Sequence, residues 1–225
     1  MEETLWKKWE FLKTYRDILI LKAVEKIPKR IKSHLVLTGG TSLHLFSLRQ
    51  FFNDEPVMAS EDVDFFNTNP KLLENPKGVE EWKIAEIYAR VLKDFGFESD
   101  LKSNILLVKP HDIKIEFFYD SSSYPEKTYS YSRLKIIHPK TLYRIKLNLL
   151  NSREEISERD LIDVLYLSTK FGLPEKILLR ENIERMLEWK TLQDYLTEHG
   201  ERILKNNYPG LVKNFLSRVV VHEED

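Results

Sequence analysis

The spacing of apolar residues changes near residue 138, and the change divides this chain into two kinds of structure. Over residues 4–27, Leu5, Trp9, Leu12, Tyr15, Leu19 and Ala23 recur near helical spacing and predict an amphipathic helix that Pro28 ends. His34–Leu37 predicts a short strand, after which Gly39 and Gly40 turn the chain. A second helix carries Leu43, Phe46 and Leu48, with Thr41 or Ser42 as its cap. Residues 52–60 read as a loop, Val63–Phe66 as a strand and Asn67–Pro76 as irregular. Trp82, Ile84, Ile87, Tyr88 and Val91 form the stripe of a helix over Val79–Phe95, which Gly96 ends. Phe97–Leu101, Ile105–Val108 and Ile113–Tyr119 predict three strands, with Pro110-His111-Asp112 as a turn. Residues 120–130 read as a loop and Leu134–Ile137 as a further strand. After Pro139, Thr141–Leu150, Glu158–Phe171, Pro174–Trp189 and a last stretch to about Val221 read as helices. The expectation is an α+β chain: a mixed core over residues 1–138 and a helical domain over 139–225, with no Gly/Ser-rich linker between them.

Composition narrows the chemistry. A 225-residue chain with 42% hydrophobic and 32% charged residues can bury a real core and is globular. The absence of cysteine excludes disulfides, Cys-ligated zinc, iron–sulfur clusters and thiol catalysis. No segment approaches the ~18 apolar residues of a membrane span, and Ile18–Leu21 lacks the flanks of a signal peptide, so a cytoplasmic protein with no membrane partner is expected. The net charge of −1 gives no whole-molecule attraction to nucleic acid and leaves only local patches, of which Lys26, Lys29, Arg30 and Lys32 form one.

The residues that carry chemistry are acidic. Asp62 and Asp64 are two apart, which on a strand places both on one face. Two carboxylates held so close repel unless a cation lies between them. Glu116 lies in the strand-like run Ile113–Phe118, on the face it shares with Lys114 and Asp112, while Ile113, Ile115 and Phe117 take the other face. An isolated Asp-x-Asp is most often a solvated edge, and an isolated glycine pair a tight turn. The order matters more than either motif: apolar strand, Gly-Gly-[Ser/Thr], helix, loop, Asp-x-Asp strand, then a further strand acid. Three carboxylates beside a backbone that can approach a phosphate suggest two metal ions and a nucleoside triphosphate.

These motifs resemble those of the nucleotidyltransferase superfamily of the DNA polymerase β type, and within it the AbiEii/AbiGii-type toxin branch. Gly39-Gly40-Thr41-Ser42-Leu43 resembles that branch's Gly-Gly-Thr-Ala-Leu, and Ser60-Glu61-Asp62-Val63-Asp64-Phe65-Phe66 its Ser-x-Asp-Ile-Asp-Leu-Phe. Lys146, and Arg159-Asp160 with Asp163, are similar to its later lysine and Arg-Asp…Asp patterns, so the likeness spans about residues 35–170. Met58 stands where the branch often has arginine, and Glu116 where aspartate is common. The resemblance implies a polymerase β-like mixed sheet with a C-terminal helical bundle. It implies Asp62, Asp64 and Glu116 as catalytic ligands of two Mg²⁺ ions, with Mn²⁺ as the alternative. Gly39, Gly40, Thr41, Ser42 and Lys146 are expected to bind the triphosphate. Asp160 or Asp163, with Arg159 beside them, is expected to orient Lys146 or to position the acceptor. The implied activity is transfer of a nucleoside monophosphate from an NTP to a hydroxyl of RNA, such as tRNA, or of protein. The implied setting is a toxin–antitoxin or phage abortive-infection system with an antitoxin encoded nearby.

Other readings compete less well. Asp112-x-Lys114, with Asp62 or Asp64, superficially matches a metal-dependent nuclease but leaves the glycine pair unexplained. A non-catalytic binding relative has no need of three intact acids. No P-loop or Gly-x-Gly-x-x-Gly occurs, and the six histidines show no metal spacing. Tyr119, Tyr124, Tyr129 and Tyr131 read either as half-buried strand aromatics or as a surface for stacking bases.

Overall fold

The structure, a computed structural model, describes residues 2–53, 60–72, 84–152 and 158–171. By contacts the chain forms two compact units, residues 1–138 and 139–225.

The first unit opens with a long helix, α1. It is α-helical over Glu2–Arg16, widens to a π-helix over Asp17–Lys22 and is α-helical again over Ala23–Lys26. A short helix, α2 (Lys29–Lys32), follows Pro28. Strand β1 (Leu35–Thr38) leads straight into α3, whose first turn is Gly39–Thr41 and whose remainder, Ser42–Phe52, is π-helical. Then come β2 (Asp62–Asn67), α4 (Ile84–Asp94), β3 (Ser99–Lys102), β4 (Ile105–Val108), β5 (Ile113–Phe118), β6 (Thr128–Tyr131) and β7 (Leu134–Ile137). Among the described residues these strands form one mixed sheet in the order β3-β4-β5-β2-β1-β7-β6. The β2–β5 and β1–β7 pairs are parallel and the other pairs antiparallel.

Alternation sorts the two faces of the sheet. Val63, Phe65, Ile113, Ile115 and Phe117 are buried in a core that also takes in Leu12, Leu19 and Ile20 from α1 and Ile84, Tyr88 and Leu92 from α4. Phe65 and Phe117 stack with ring centroids 5.5 Å apart, and Tyr88 packs on both at 5.6 and 5.2 Å. Offset aromatic pairs at such spacing add to what their burial already contributes. The buried Tyr88 hydroxyl donates to the Leu19 carbonyl at 2.7 Å, pinning α4 to the π-helical segment of α1. Burial pushes the Tyr88 phenol well above its ordinary pKa.

Several sequence-based expectations are corrected. Neither Thr41 nor Ser42 caps α3: both lie inside the helix, the Thr41 hydroxyl turns to Ser60 and the Asp62 carbonyl at the start of β2, and Ser42 Oγ donates to the Gly39 carbonyl at 2.8 Å. The expected loop over 120–130 contains the start of β6, an edge strand whose residues are half-buried or exposed. Asp112 stands in the turn expected at Pro110–Asp112, with φ 52° and a pair to Lys109 at 2.6 Å, so it does not share the β5 face with Lys114 and Glu116 as expected. The start of the helix expected from Val79 and the loop core at 54–59 lie outside the described residues.

In the second unit, α5 (Pro139–Ser152) and α6 (Glu158–Phe171) are described and pack on each other. Pro139 begins α5 rather than preceding it, as suits a residue with no N–H to satisfy in a first helical turn. The helices expected over 174–189 and toward Val221 lie outside the described residues. No helix among the described residues is long and apolar enough to cross a membrane.

Tyr88→Phe removes a buried donor and leaves the Leu19 carbonyl short of a partner. We expect a loss of about 1–2 kcal/mol, read as a lower urea midpoint with an unchanged slope.

Candidate active site

The register of three strands builds the acidic face. β1 and β2 run antiparallel with Thr38 opposite Asp64, and β2 and β5 run parallel with Asp64 beside Glu116 and Asp62 beside Lys114. Partners in register share a face, so Thr38, Asp64 and Glu116 form one row across the sheet. Asp62 and Lys114 begin the next row. All four charged residues are half-buried, while the residues alternating with them are fully buried. The sheet therefore holds three carboxylates on a partly shielded surface, where their mutual repulsion is larger than in water.

Lys114 supplies the cation. Its ammonium pairs with Glu116 Oε2, its neighbour two residues along on the same face. Partial burial works against its charge, and the Glu116 hydrogen bond with the negative fields of Glu116, Asp64 and Asp62 outweighs that, leaving the lysine above its ordinary pKa. The sequence showed that Lys114 shares the acidic face. It did not show that Lys114 holds the acids together, and the alternation Lys114-x-Glu116 beside Asp62-x-Asp64 was the available signal.

The glycine turn closes on these acids. Gly39 has φ 68°, a conformation that side chains disfavour. A Cβ there would overlap Asp64 Oδ2 and come within 3.1 Å of its Cγ. A Cβ on Gly40 would stand 3.2 Å from Ser60 Oγ. Glycine is thus needed because the backbone of the α3 entry presses directly on the Asp64 carboxylate. The Thr41 hydroxyl reaches the Asp62 carbonyl and lies 2.9 Å from the buried Ser60 hydroxyl. Ser60 Oγ in turn lies 3.4 Å from Asp62 Oδ1. Thr41 and Ser60 fix the start of β2; the Gly39–Ser42 backbone places the N-terminus of a 14-residue helical run (Gly39–Phe52) beside Asp64.

The expected metal ligands fit a hard divalent cation in kind and register. They are oxygen donors on adjacent strands, on one face, and already attract an ammonium group. Their side chains are not closed around a common point: among the described residues no group of three acidic or histidine side chains is close enough to hold a metal ion. Glu116 is turned to Lys114 instead. A cavity of about 1020 Å³, lined in part by Phe11, Tyr15, Phe97 and His111, includes none of Gly39, Gly40, Asp62, Asp64 and Glu116.

In the second unit, Lys146 is buried between two carboxylates on α6. Its Nζ lies 2.6 Å from Asp160 Oδ1 and 2.6 Å from Asp163 Oδ2. Asp163 is 1% exposed. Burial alone depresses a lysine, but Asp163 and Asp160 outweigh it and hold Lys146 above the ordinary lysine range. Arg159 sits one residue before Asp160, half-buried on α6.

The family model for the nucleotidyl transferase AbiEii toxin of type IV toxin–antitoxin systems matches residues 28–225. The chain belongs to this family. Its mixed sheet with flanking helices is the α+β architecture expected of a nucleotidyltransferase. No curated protein sequence matches it. Among solved structures, the megavirus polyadenylate synthase is similar over 87% of this chain and 39% of that one, at 14% identity and a TM-score of 0.46. The chain therefore spans about two-fifths of that protein's length.

Two substitutions probe the geometry. Gly39→Ala combines a strained φ with overlap on Asp64. We expect about 1–2 kcal/mol of destabilisation from the backbone alone, and a loss of nucleotidyl transfer larger than that of Gly96→Ala, whose φ is also positive but whose Cβ meets nothing within 4 Å. Lys146→Met strands two carboxylates, one of them fully buried, and is expected to cost about 3–5 kcal/mol. The raised Lys146 pKa stabilises the fold fully below the ordinary lysine value of about 10.4 and progressively less as pH rises beyond it. The wild type should lose denaturant resistance above about pH 10, and Lys146→Met should lack that component of the decline.

Proposed function

We propose that the chain is a Mg²⁺-dependent nucleotidyltransferase that moves a nucleoside monophosphate from an NTP onto a hydroxyl of RNA or of protein, as the toxin of a toxin–antitoxin pair. The observation that carries the reading is the approach of Gly39 to Asp64: a backbone that can cradle phosphate lies directly against the first carboxylate of the Asp64–Glu116 row.

In this reading the backbone N–H groups at Gly39–Ser42 hold the β- and γ-phosphates, and the α-phosphate lies over Asp62 and Asp64. Asp62, Asp64 and Glu116 hold Mg²⁺, with Mn²⁺ as the alternative, and the bound metal supplies charge neutralisation at the attacking and leaving oxygens. Lys114 releases Glu116 for that purpose and keeps a positive charge beside the phosphates. The acceptor oxygen forms a bond to the α-phosphorus, the bridging α–β P–O bond breaks, and pyrophosphate departs. The hydroxyl proton passes to a carboxylate of the row. Lys146 is assigned to the triphosphate by the family likeness. Asp160 and Asp163 keep it charged within its own helix pair.

The reading favours transferase over nuclease on a specific point. The nuclease pattern needs Asp112 on the acidic face, and Asp112 is in a turn paired with Lys109. The partner implied by the type IV family is an antitoxin.

The test uses purified protein, Mg²⁺ and each α-labelled NTP, with cellular RNA and protein as acceptors. Transfer by the wild type is expected, with loss in Asp62→Asn, Asp64→Asn and Glu116→Gln beyond the ~10–100-fold typical of a merely supporting metal contact. Chelation of Mg²⁺ should abolish it. Absence of both transfer and calorimetric NTP binding overturns the assignment.

A further inference from the structure

The sheet end away from the glycine turn carries exposed aromatics and cations on and beside the acidic face. One row beyond Thr38–Asp64–Glu116, on the same face, register places Lys135 beside Val36, Val36 opposite Phe66, and Phe66 beside Phe118. Two strand residues separate the rows, roughly 7 Å. Phe66 is buried, and Tyr119 and Tyr124 pack against it with ring centroids at 5.7 and 5.6 Å. Both tyrosines are open to solvent, 41% and 46% exposed. Of the four tyrosines the sequence singled out, Tyr129 and Tyr131 are half-buried on β6, so the stacking surface narrows to these two.

Cations lie at the same sheet end, beyond β2 on the β1–β7 side. α2 brings Lys29, Arg30 and Lys32 to the start of β1, and the β6–β7 turn brings Arg133 and Lys135 to the start of β7. Short contacts tie the group together. Arg133 pairs with Glu25 at 2.6 Å, Lys32 Nζ donates to the Glu25 carbonyl at 3.1 Å, and Lys135 Nζ donates to the Ser33 carbonyl at 2.7 Å. Glu25 is the acid among them. Beside the tyrosines, the Asp120 carboxylate accepts from Ser123 at 2.8 Å. The chain as a whole has a net charge of −1, so this concentration of positive charge is local.

We propose that this sheet end binds the acceptor and that the acceptor is a single-stranded polynucleotide, its terminal bases stacked on Tyr119 and Tyr124 and its phosphates on the cations of α2 and the β6–β7 turn. The inference rests on the triphosphate lying at the glycine turn. Attacking and leaving oxygens are roughly in line at the reacting phosphorus. With pyrophosphate leaving toward Gly39–Ser42, the hydroxyl approaches from the opposite end of the strands that carry the acids, which is the sheet end with the aromatics and cations. Aromatic faces beside a basic track are the recognition elements of unpaired nucleic acid, because every base offers a ring to stack.

The test separates this surface from the chemistry. A short fluorescein-labelled single-stranded RNA, and DNA of the same sequence, are titrated by anisotropy with the full chain in EDTA and without NTP. Binding is expected, unchanged in Asp64→Asn. Tyr119→Ala/Tyr124→Ala should weaken it by about 30-fold or more, and Tyr119→Trp/Tyr124→Trp should retain it. Arg133→Glu/Lys135→Glu should weaken it and flatten the slope of log affinity against log salt by about 1.4. In transfer assays the tyrosine variants should raise the acceptor KM and leave the NTP KM unchanged. A tighter complex with the RNA than with the DNA would name RNA as the acceptor, and the reverse would name DNA. Binding indifferent to all these residues, or label from the NTP appearing only in protein, overturns the proposal. Residue-dependent RNA binding with no transfer overturns the transferase reading and retains the surface.

Discussion

The fold depends on a like-charge contact that the sheet enforces. Asp64 and Glu116 are in-register partners on parallel strands, and Asp62 follows on the same face. The neighbours that fix this register, Phe65 with Phe117 and Val63 with Ile115, are buried on the other face. A one-residue slip would turn the aromatics out and the carboxylates into the core. Core packing therefore sets the position of the acids, and their repulsion is relieved locally by Lys114. The arrangement holds negative charge in a place where a divalent cation or a phosphate-bound metal is the natural replacement for the ammonium group.

The glycine turn is a second consequence of the same register. β1 pairs antiparallel with β2 and delivers Gly39 beside Asp64. No side chain fits there. The backbone can take the left-handed conformation and start α3 at once, placing a helix N-terminus beside the acids. Thr41 and Ser60 complete the connection by hydrogen bonds to each other and to the start of β2. Both hydroxyls are buried, so they act here as structural links between α3 and β2, and the main-chain N–H groups remain the chemically suited phosphate donors.

Much of this was legible in the sequence because it rests on local spacing. Asp62-x-Asp64 and Lys114-x-Glu116 report a strand face directly, and the glycine pair after an apolar run reports a turn. What the sequence hid depends on pairing. Nothing local says that β2 and β5 are parallel neighbours or that β6 exists within a polar tyrosine-containing stretch. Edge strands such as β6 bury little, so their hydrophobic signal is weak. Asp112 was read as a turn residue, but counting it on the Glu116 face carried the strand's alternation into a residue whose φ of 52° belongs to the turn. The role of Thr41 was misread for a related reason: capping residues precede a helix, and Thr41 is inside one.

Lys146 shows how a charge can be kept ready in a buried place. A lone lysine at 7% exposure would lose its proton readily, since burial disfavours the charged form. Two carboxylates three residues apart on α6, one helical turn, reverse that preference and fix the ammonium by two hydrogen bonds of 2.6 Å. The triad carries more negative than positive charge, so the lysine is not neutralised in isolation but held in a negative surround that stabilises its proton. A catalytic lysine that must stay cationic needs such partners. One that must act as a base needs the opposite, burial without them. The structure of this helix pair is therefore that of a lysine held cationic by its two carboxylate partners.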